Sequence, residues 1–293
     1  MKASTLIGLI IGMAGIGLGA TIEGSSVAAI INPSAMLIVL CGTLGATIVG
    51  ANFDAIKNIP KMFGKVFNSP VRDLNALVAE LVGYAESARR DGLLALDEQT
   101  AAIEDPFTRK GLQLVVDGTD PDLVADILEA ENAAMKKRHA TGRQPFEKAG
   151  GYAPTMGIIG TVFGLIHVLA NLDAPETLGP SISSAFVATL IGVASANVFY
   201  LPLASKLKQI SEEELHARAL IVEGILSIQA GDNPRVVQEK LITFVPPALR
   251  KPEGESSGAA AAEIDGPRVS GASRLPSTWM SPKTVPMMPI VGA

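Results

Sequence analysis

Apolar residues are concentrated in four long stretches that come as two close pairs, separated by the mostly polar stretch 52–151. Each stretch is long enough to cross the ~30 Å hydrocarbon core of a membrane as a helix. A spanning helix also satisfies its own backbone hydrogen bonds, which isolated strands in lipid cannot do. The pattern therefore predicts an all-α integral membrane protein with four transmembrane helices, at Leu6–Ile22, Ser34–Ala51, Tyr152–Ala170 and Ile182–Leu203.

Basic residues predict how these spans are oriented. The two short linkers within the pairs, 23–33 and 171–181, contain no Lys or Arg. The opposite ends of the spans are flanked by Lys2, Lys57, Lys61, Lys65, Arg143, Lys148, Lys206 and Lys208. This asymmetry predicts that both termini and the long middle segment are cytoplasmic. A cleaved signal peptide is the alternative for the first stretch, but that stretch is longer than a typical signal-peptide core, which favours a retained span.

Helical periodicity organises the segments outside the membrane. Apolar positions recur at helical spacing in Val71–Arg90, and the Asp-Pro pairs at 105–106 and 120–121 are typical of helix starts. We expect the fourth span to continue as a helix to about Ile228 and a short helix to begin at Pro234. The predicted organisation is a transmembrane hairpin at 1–52, a cytoplasmic helical domain at 53–149, the second pair of spans at 150–204, a cytoplasmic helical extension at 205–250, and a disordered tail at 251–293.

Composition argues against several classes of function. The net charge is −5 and the basic residues are scattered, which is unlike a nucleic-acid-binding surface. The three His residues and the single Cys41 have no spacing typical of a metal site, and no glycine-rich loop is suited to a phosphate group. We therefore expect no enzyme and no cofactor, and we expect the partners to be membrane lipid and other proteins rather than nucleic acid.

The spans themselves contain few polar side chains. None of the four stretches contains Asp, Glu, Lys or Arg, so an ion-carrying carboxylate would have to come from another subunit. Thr161 and Thr189 lie near the middle of the last two spans, where each hydroxyl either bonds to its own helix or lines a path shared with a partner. Pro154 and Pro202 lie near the cytoplasmic ends, where proline either frees a carbonyl and kinks a helix or simply marks a helix end.

Four sequence segments, taken together, resemble the MotA family of flagellar stator subunits in the MotA/TolQ/ExbB proton-channel superfamily. The resemblance extends from about Thr5 to Pro247. Its segments are Ala153–Leu165 (APTMGIIGTVFGL), Ala185–Gly192 (AFVATLIG), Asn233–Leu241 (NPRVVQEKL) and Ala88–Glu98 (ARRDGLLALDE).

The resemblance implies a function in flagellar rotation, and hence in chemotaxis. It implies a multi-pass protein of the bacterial inner membrane that forms a pentamer around a MotB-like partner. That partner has one span, binds peptidoglycan and carries the ion on a membrane Asp. The flow of H⁺ or Na⁺ through this channel would drive the cytoplasmic part of the ring against the rotor protein FliG.

The resemblance also assigns roles to individual residues. Thr161 and Thr189 match the pathway hydroxyls of sodium-driven relatives such as PomA, whereas proton-driven members often keep only the second. Asp97 stands where relatives often carry Glu. The implied set is Thr161 and Thr189 in the ion pathway, Pro154 and Pro202 as coupling prolines, and Arg89, Arg90, Asp97 and Glu98 in contact with FliG.

Two alternatives remain at this point. TolQ and ExbB, which energise other envelope processes, share the second pair of spans but usually have one span before the cytoplasmic segment. A membrane scaffold that conducts nothing would tolerate replacement of both threonines and both prolines as long as the fold survived.

Overall fold

The computed structural model describes residues 2–24, 30–68 and 72–250. The tail 251–293, predicted to be disordered, lies outside the described residues. Within them the chain forms helices and turns and no strand. The helices are α1 (Lys2–Ile22), α2 (Pro33–Gly50), α3 (Phe53–Lys57), α4 (Ile59–Asn68), α5 (Leu74–Asp91), α6 (Leu96–Thr100), α7 (Pro106–Val116), α8 (Pro121–Ala170), α9 (Pro175–Ala194), α10 (Leu201–Gln229) and α11 (Pro234–Ile242).

Four helical segments are long and apolar enough to cross a membrane, which confirms the predicted all-α membrane fold. They are α1, α2, the C-terminal part of α8, and α9 with its continuation. The helix α8 is 50 residues long and contains Pro145 and Pro154. It runs without a break from the polar middle segment into the third span, so the boundary predicted at residue 150 falls inside one helix. The linker before α9 is shorter than predicted, because that helix begins at Pro175.

The helical segments outside the four spans share one hydrophobic core. The helices α5, α6 and α7 bury Leu81, Leu96 and Leu112 against Leu128 of α8 and Ile225 of α10. The stretches 53–149 and 205–250, which the sequence analysis treated separately, therefore contribute to one packed unit. Local signals define its helices well: Asp73 caps α5 by accepting from the backbone N–H of Asn75 at 2.9 Å, and Gly92, with φ 86°, ends it.

Two short helices between α2 and α5 were missed by the sequence analysis. The apolar side of α4, formed by Met62, Phe63 and Val66, packs against Phe146 of α8 and Leu203 of α10. This spacing of apolar residues is that of an amphipathic helix and could have been found from the sequence. The helix α4 thus contacts both α8 and α10 near the ends of their apolar spans.

Glycines hold α8 and α9 in backbone contact. A Cβ atom built on Gly157 of α8 would lie 2.9 Å from the carbonyl oxygen of Ala188 and 3.0 Å from the Cα of Thr189. A Cβ on Gly192 of α9 would lie 2.5 Å from the carbonyl oxygen of Ala153. Larger residues cannot be accommodated without separating the helices, because the obstructing atoms belong to the backbone.

This contact generates a testable expectation for Gly157. We expect Gly157→Ala to destabilise the detergent-solubilised protein by about 1–3 kcal/mol, because the new methyl group must push α9 away. Gly45→Ala is the matched control, since a Cβ there would meet no atom within 4 Å. The measurement is the thermal unfolding midpoint of both variants, and equal midpoints would show that the close approach of α8 and α9 is not stabilising.

Candidate functional site

Thr161 of α8 and Thr189 of α9 meet directly in the middle of the spans. Their Oγ atoms are 2.5 Å apart. The Thr161 hydroxyl also lies 3.0 Å from the carbonyl oxygen of Ala185 and 3.2 Å from that of Gly157. The Thr189 hydroxyl lies 3.3 Å from the same Gly157 oxygen. The Thr161 hydroxyl thus contacts a carbonyl of its own helix and groups on α9, whereas the Thr189 hydroxyl contacts only groups on α8.

The threonine pair lies along one edge of the glycine contact. On both helices the contact residues, including Gly157 and Gly192, form one stripe, and the threonines lie next to that stripe. The helix α2 packs along the opposite edge, where Val39 joins Val187 in a buried cluster. The edge that carries the threonines is therefore not covered by α2.

The pair is suited chemically to binding a small cation or a proton-carrying water molecule. Two hydroxyl oxygens and the carbonyl oxygens of Gly157 and Ala185 are grouped together. The two hydroxyls have one hydrogen each, so lone pairs remain on these oxygens after the hydrogen bonds are made. Oxygen-rich groups of this kind are the ligands that hard cations use in membrane transport proteins.

The uncovered edge is apolar on both sides of the threonine pair. Phe186 is 60% exposed and Ile158 is 56% exposed. Exposed apolar side chains at this depth face either lipid or another helix. Further exposed residues on this edge are Leu165, Ile182 and Val193.

The two prolines occupy different local structures. Pro154 lies within α8, seven residues before Thr161. Pro202 is near the start of α10, directly after the π-helical segment Ser195–Tyr200 that joins α9 to α10. In that segment the N–H of Leu201 bonds to the carbonyl of Ala196, one residue farther back than in an α-helix. This segment was not predicted from the sequence. The one signal for it is Pro202, because proline has no backbone N–H to donate in the usual α-helical pattern.

The four charged candidates lie at one corner of the helical unit formed by residues 53–149 and 205–250. Arg89 and Arg90 end α5, and Asp97 and Glu98 begin α6 on the other side of a short 3₁₀ turn. All four are exposed. The reversal of the chain between them depends on Gly92, whose φ of 86° is costly for other residues.

Charge is distributed unevenly within this corner. A guanidinium nitrogen of Arg90 lies 2.8 Å from a carboxylate oxygen of Asp91, and this contact lowers the pKa of Asp91. Asp97 accepts a long hydrogen bond of 3.4 Å from the amide of Gln113. Within the described ranges, Arg89 and Glu98 form no ion pair. The corner therefore offers both signs of charge to a partner.

A partly exposed ion network joins three helices of the same unit. Glu131 of α8 bonds to Lys110 of α7 at 2.7 Å and to Arg218 of α10 at 3.5 Å, and its pKa is lowered mainly by the hydrogen bond from Lys110. The guanidinium of Arg218 also stacks on the Phe107 ring at 4.4 Å. These contacts fix α7, α8 and α10 relative to one another.

Two other features bear on chemistry. A cavity of about 520 Å³ lies between α2, α8 and α9, and its lining includes Ile38, Gly160, His167 and Ser184. It is on the edge covered by α2, away from the threonine pair. Among residues 2–24, 30–68 and 72–250 there is no group of three or more His, Cys, Asp or Glu that could hold a metal ion.

Family models and curated relatives both relate the chain to motility protein A. Residues 6–90 match the motility protein A N-terminal family, and residues 99–219 match the MotA/TolQ/ExbB proton channel family. The chain is 37% identical to motility protein A of Bacillus subtilis (strain 168) over 247 residues, which is 84% of this chain and 92% of that protein. It is 34% identical to the chemotaxis protein PomA of Vibrio alginolyticus over 265 residues, covering 90% of this chain and 100% of PomA.

The fold is also similar to solved structures. The flagellar MotAB stator complex from Bacillus subtilis contains a chain that superposes with a TM-score of 0.78 and 38% identity, covering 82% of this chain and 95% of that one. A chain of the C. jejuni MotAB structure superposes with a TM-score of 0.80 and 31% identity, covering 84% and 97%.

The contact between the two hydroxyls can be measured by a double-mutant cycle. We expect Thr161→Val and Thr189→Val to be coupled by about 0.5–1.5 kcal/mol in thermal unfolding of the solubilised protein, because each removes a hydrogen-bonding partner of the other. Thr155 provides the control, since its hydroxyl bonds at 2.7 Å to the carbonyl of Tyr152 in its own helix. Thr155→Val should be additive with Thr189→Val, and additivity in both cycles would contradict the observed contact.

Proposed function

Since this chain belongs to the motility protein A family and is a stator subunit of the flagellar motor, we propose that with a MotB-like partner it forms the ion channel that converts proton or sodium flow into torque. The observation that carries this proposal is the threonine pair on an apolar edge in spans that contain no ionisable Asp, Glu, Lys or Arg. Such a half-site can line a pathway but lacks the titratable group that a carrier of ions needs. A partner helix with a carboxylate, seated against this edge, would complete it.

The proposed ion pathway passes Thr161 and Thr189. The two hydroxyl oxygens and the two neighbouring carbonyl oxygens could coordinate a metal cation such as Na⁺, and a proton would not need so many oxygen ligands. The presence of both hydroxyls, as in PomA-like relatives, points in the same direction. Sodium is therefore the preferred coupling ion in this proposal, and protons are the alternative.

The proposal extends to assembly and location. The protein is a multi-pass membrane protein that acts in a multi-subunit stator with a MotB partner. We propose that it lies in the inner membrane with both termini in the cytoplasm, in agreement with its lysine and arginine distribution. We further propose that five copies surround the partner, so that the threonine edges face the centre of the ring.

The proposed contact with the rotor protein FliG is the charged corner. Arg89, Arg90, Asp97 and Glu98 are exposed at the end of a rigid helical unit rather than on a long loop. Exposed charges contribute little to stability, but they orient and select a partner effectively. The side chains of Pro154 and Pro202 stand where the spans leave the membrane, a position suited to linking ion binding to movement of this unit.

The two alternative functions are less well supported. A TolQ- or ExbB-like subunit is expected to have one span before the cytoplasmic segment, whereas α1 and α2 are both long and apolar enough to cross a membrane. A non-conducting scaffold gives no reason for two hydroxyls to meet on an apolar edge. Experiment can separate it from the channel directly.

The test of the proposed function is swimming in a stator-less host that carries this gene together with its MotB-like partner, with sodium titrated at fixed pH. We expect speed to rise with sodium concentration and to fall when Thr161 and Thr189 are both changed to Val. Speed that is independent of sodium but dependent on pH would assign protons instead. Both proteins present in the membrane without swimming in any compatible host would contradict the stator function.

Charge reversal tests the rotor contact. We expect Arg90→Glu to reduce swimming speed to less than about half, because it places repulsion where the rotor meets a positive charge. Membrane level and partner binding should be unchanged, since the residue is exposed. Arg138→Glu is the matched control, an exposed arginine in α8, a helix that does not carry the corner. Equal slowing by both variants would remove Arg90 from the rotor contact.

A further inference from the structure

We propose that the segment after the second span binds the headgroup of an anionic phospholipid through Lys57 and Lys61. The ammonium groups of these two lysines contact the acidic groups of the headgroup. The inference is separate from ion conduction, since it requires only that α2 spans a membrane, for which that helix is long and apolar enough. The sequence analysis used both lysines only to orient the spans.

The segment is held close to the end of the second span. The ammonium of Lys148 in α8 donates to the carbonyl of Gly50, the last residue of α2. The next helix, α3, begins at Phe53 and buries Ala55. The headgroup layer adds about 5–7 Å to each side of the hydrocarbon core. So short a connection therefore keeps the side chains of α3 within reach of the headgroups.

The first turn of α4 turns its charged side away from the protein. Ile59 and Phe63 belong to the cluster that includes Phe146 of α8 and Leu203 of α10. Lys61 lies two residues from each of them in sequence, which places it about 160° around the helix from both. Its side chain is exposed. The lysine thus lies on the side of the helix opposite to the packed one.

Positive charge in this segment is not balanced by nearby acidic residues. The stretch 55–72 contains no Asp or Glu, and its basic residues are Lys57, Lys61, Lys65 and Arg72. Both Lys57 and Lys61 are exposed, and neither forms an ion pair in the part of the chain that the structure describes. Clusters of basic residues directly beside a span attract anionic lipid, and each added lysine strengthens the attraction.

Phe53 provides the apolar contact that a lipid site also uses. Its ring is 64% exposed, and the Nζ atom of Lys57 lies 4.7 Å from the ring centroid. An exposed aromatic ring beside an exposed ammonium, so soon after a span, is suited to the boundary between acyl chains and headgroups. The segment therefore presents an apolar contact and a cationic contact side by side.

A lipid matches this surface better than a soluble anion does. A soluble phosphate would contact exposed ammonium groups only, and such contacts are weak because water and salt screen them. A phospholipid is already concentrated beside the segment, and its acyl chain can cover the Phe53 ring as well. The apolar ring and the charges together favour a molecule that has both properties.

The experiment measures how lipid stabilises the purified full-length chain in complex with its MotB partner, in a neutral detergent. Phosphatidylglycerol, phosphatidylcholine and inorganic phosphate are titrated separately, and the thermal unfolding midpoint is followed, since a ligand of the folded state raises it. We expect phosphatidylglycerol to act at a concentration about ten-fold lower than phosphatidylcholine. This preference should disappear at about 1 M salt, where charges are screened within roughly 3 Å. Inorganic phosphate should have no comparable effect.

The test variant combines Lys57→Gln with Lys61→Gln. We expect it to need about ten-fold more phosphatidylglycerol for half-maximal stabilisation, with an unchanged midpoint in lipid-free detergent. Lys57→Arg with Lys61→Arg, which keeps both charges, should bind at least as tightly as the wild type. The control, Lys136→Gln with Lys137→Gln, removes the same charge from exposed positions of α8 that are about 22 Å along the helix from Tyr152. It should respond to lipid as the wild type does.

Four results would overturn the inference. Equal stabilisation by the two phospholipids would show no preference for an anionic headgroup. An unchanged response of the test variant would place the preference elsewhere, and an equal loss in the control would assign it to total charge. An effect of inorganic phosphate as large as that of phosphatidylglycerol would assign the surface to a soluble anion. None of these results bears on the proposed channel, which is tested by swimming.

Discussion

The backbone contact between α8 and α9 is the constraint on which the remaining architecture depends. In a membrane there is little hydrophobic force to bring helices together, so their association relies on close packing and on hydrogen bonds between them. Here glycine provides the close packing, since a Cβ on Gly157 would meet backbone atoms at 2.9–3.0 Å. The hydrogen bond between the helices depends on this packing, because two short hydroxyl side chains can meet at 2.5 Å only when the helices are this close.

This contact is connected to the helical unit outside the spans through unusually long helices. The 50 residues of α8 correspond to about 75 Å of helix. Its N-terminal part packs against α7 and α10 in the shared core and forms ion pairs with both helices through Glu131. The fourth span enters the same core through α10. A relative displacement of α8 and α9 at the threonine pair would therefore reach the helices that carry the charged corner through this shared core. The π-helical segment Ser195–Tyr200 interrupts the α-helical hydrogen-bond pattern between α9 and α10.

Some features of this architecture can be predicted from short stretches of sequence, and others cannot. Spans follow from apolar length, and helix ends follow from residues such as Asp73 and Gly92, whose effects are confined to one turn. The site residues Thr161 and Thr189 could be named from their positions in the spans, but their roles came from the resemblance. Their contact depends on the register of two helices, which no local pattern encodes. The same holds for the π-helical segment, since Pro202 is equally compatible with a kink or a helix start.

The four spans contain no Asp, Glu, Lys or Arg, and most of their polar side chains carry a hydroxyl or an amide. A charge in an isolated span would be costly to insert, whereas hydroxyl and amide groups can satisfy most of their needs within their own helices. The nitrogen of Asn197 and the hydroxyl of Thr161 both do so, at 2.9 Å and 3.2 Å from carbonyls four residues earlier. What stays available is oxygen lone pairs along one edge, which attract a cation but cannot bind it strongly alone. A weak set of ligands is suited to passing an ion on, and in the proposed channel a carboxylate on the partner would control binding.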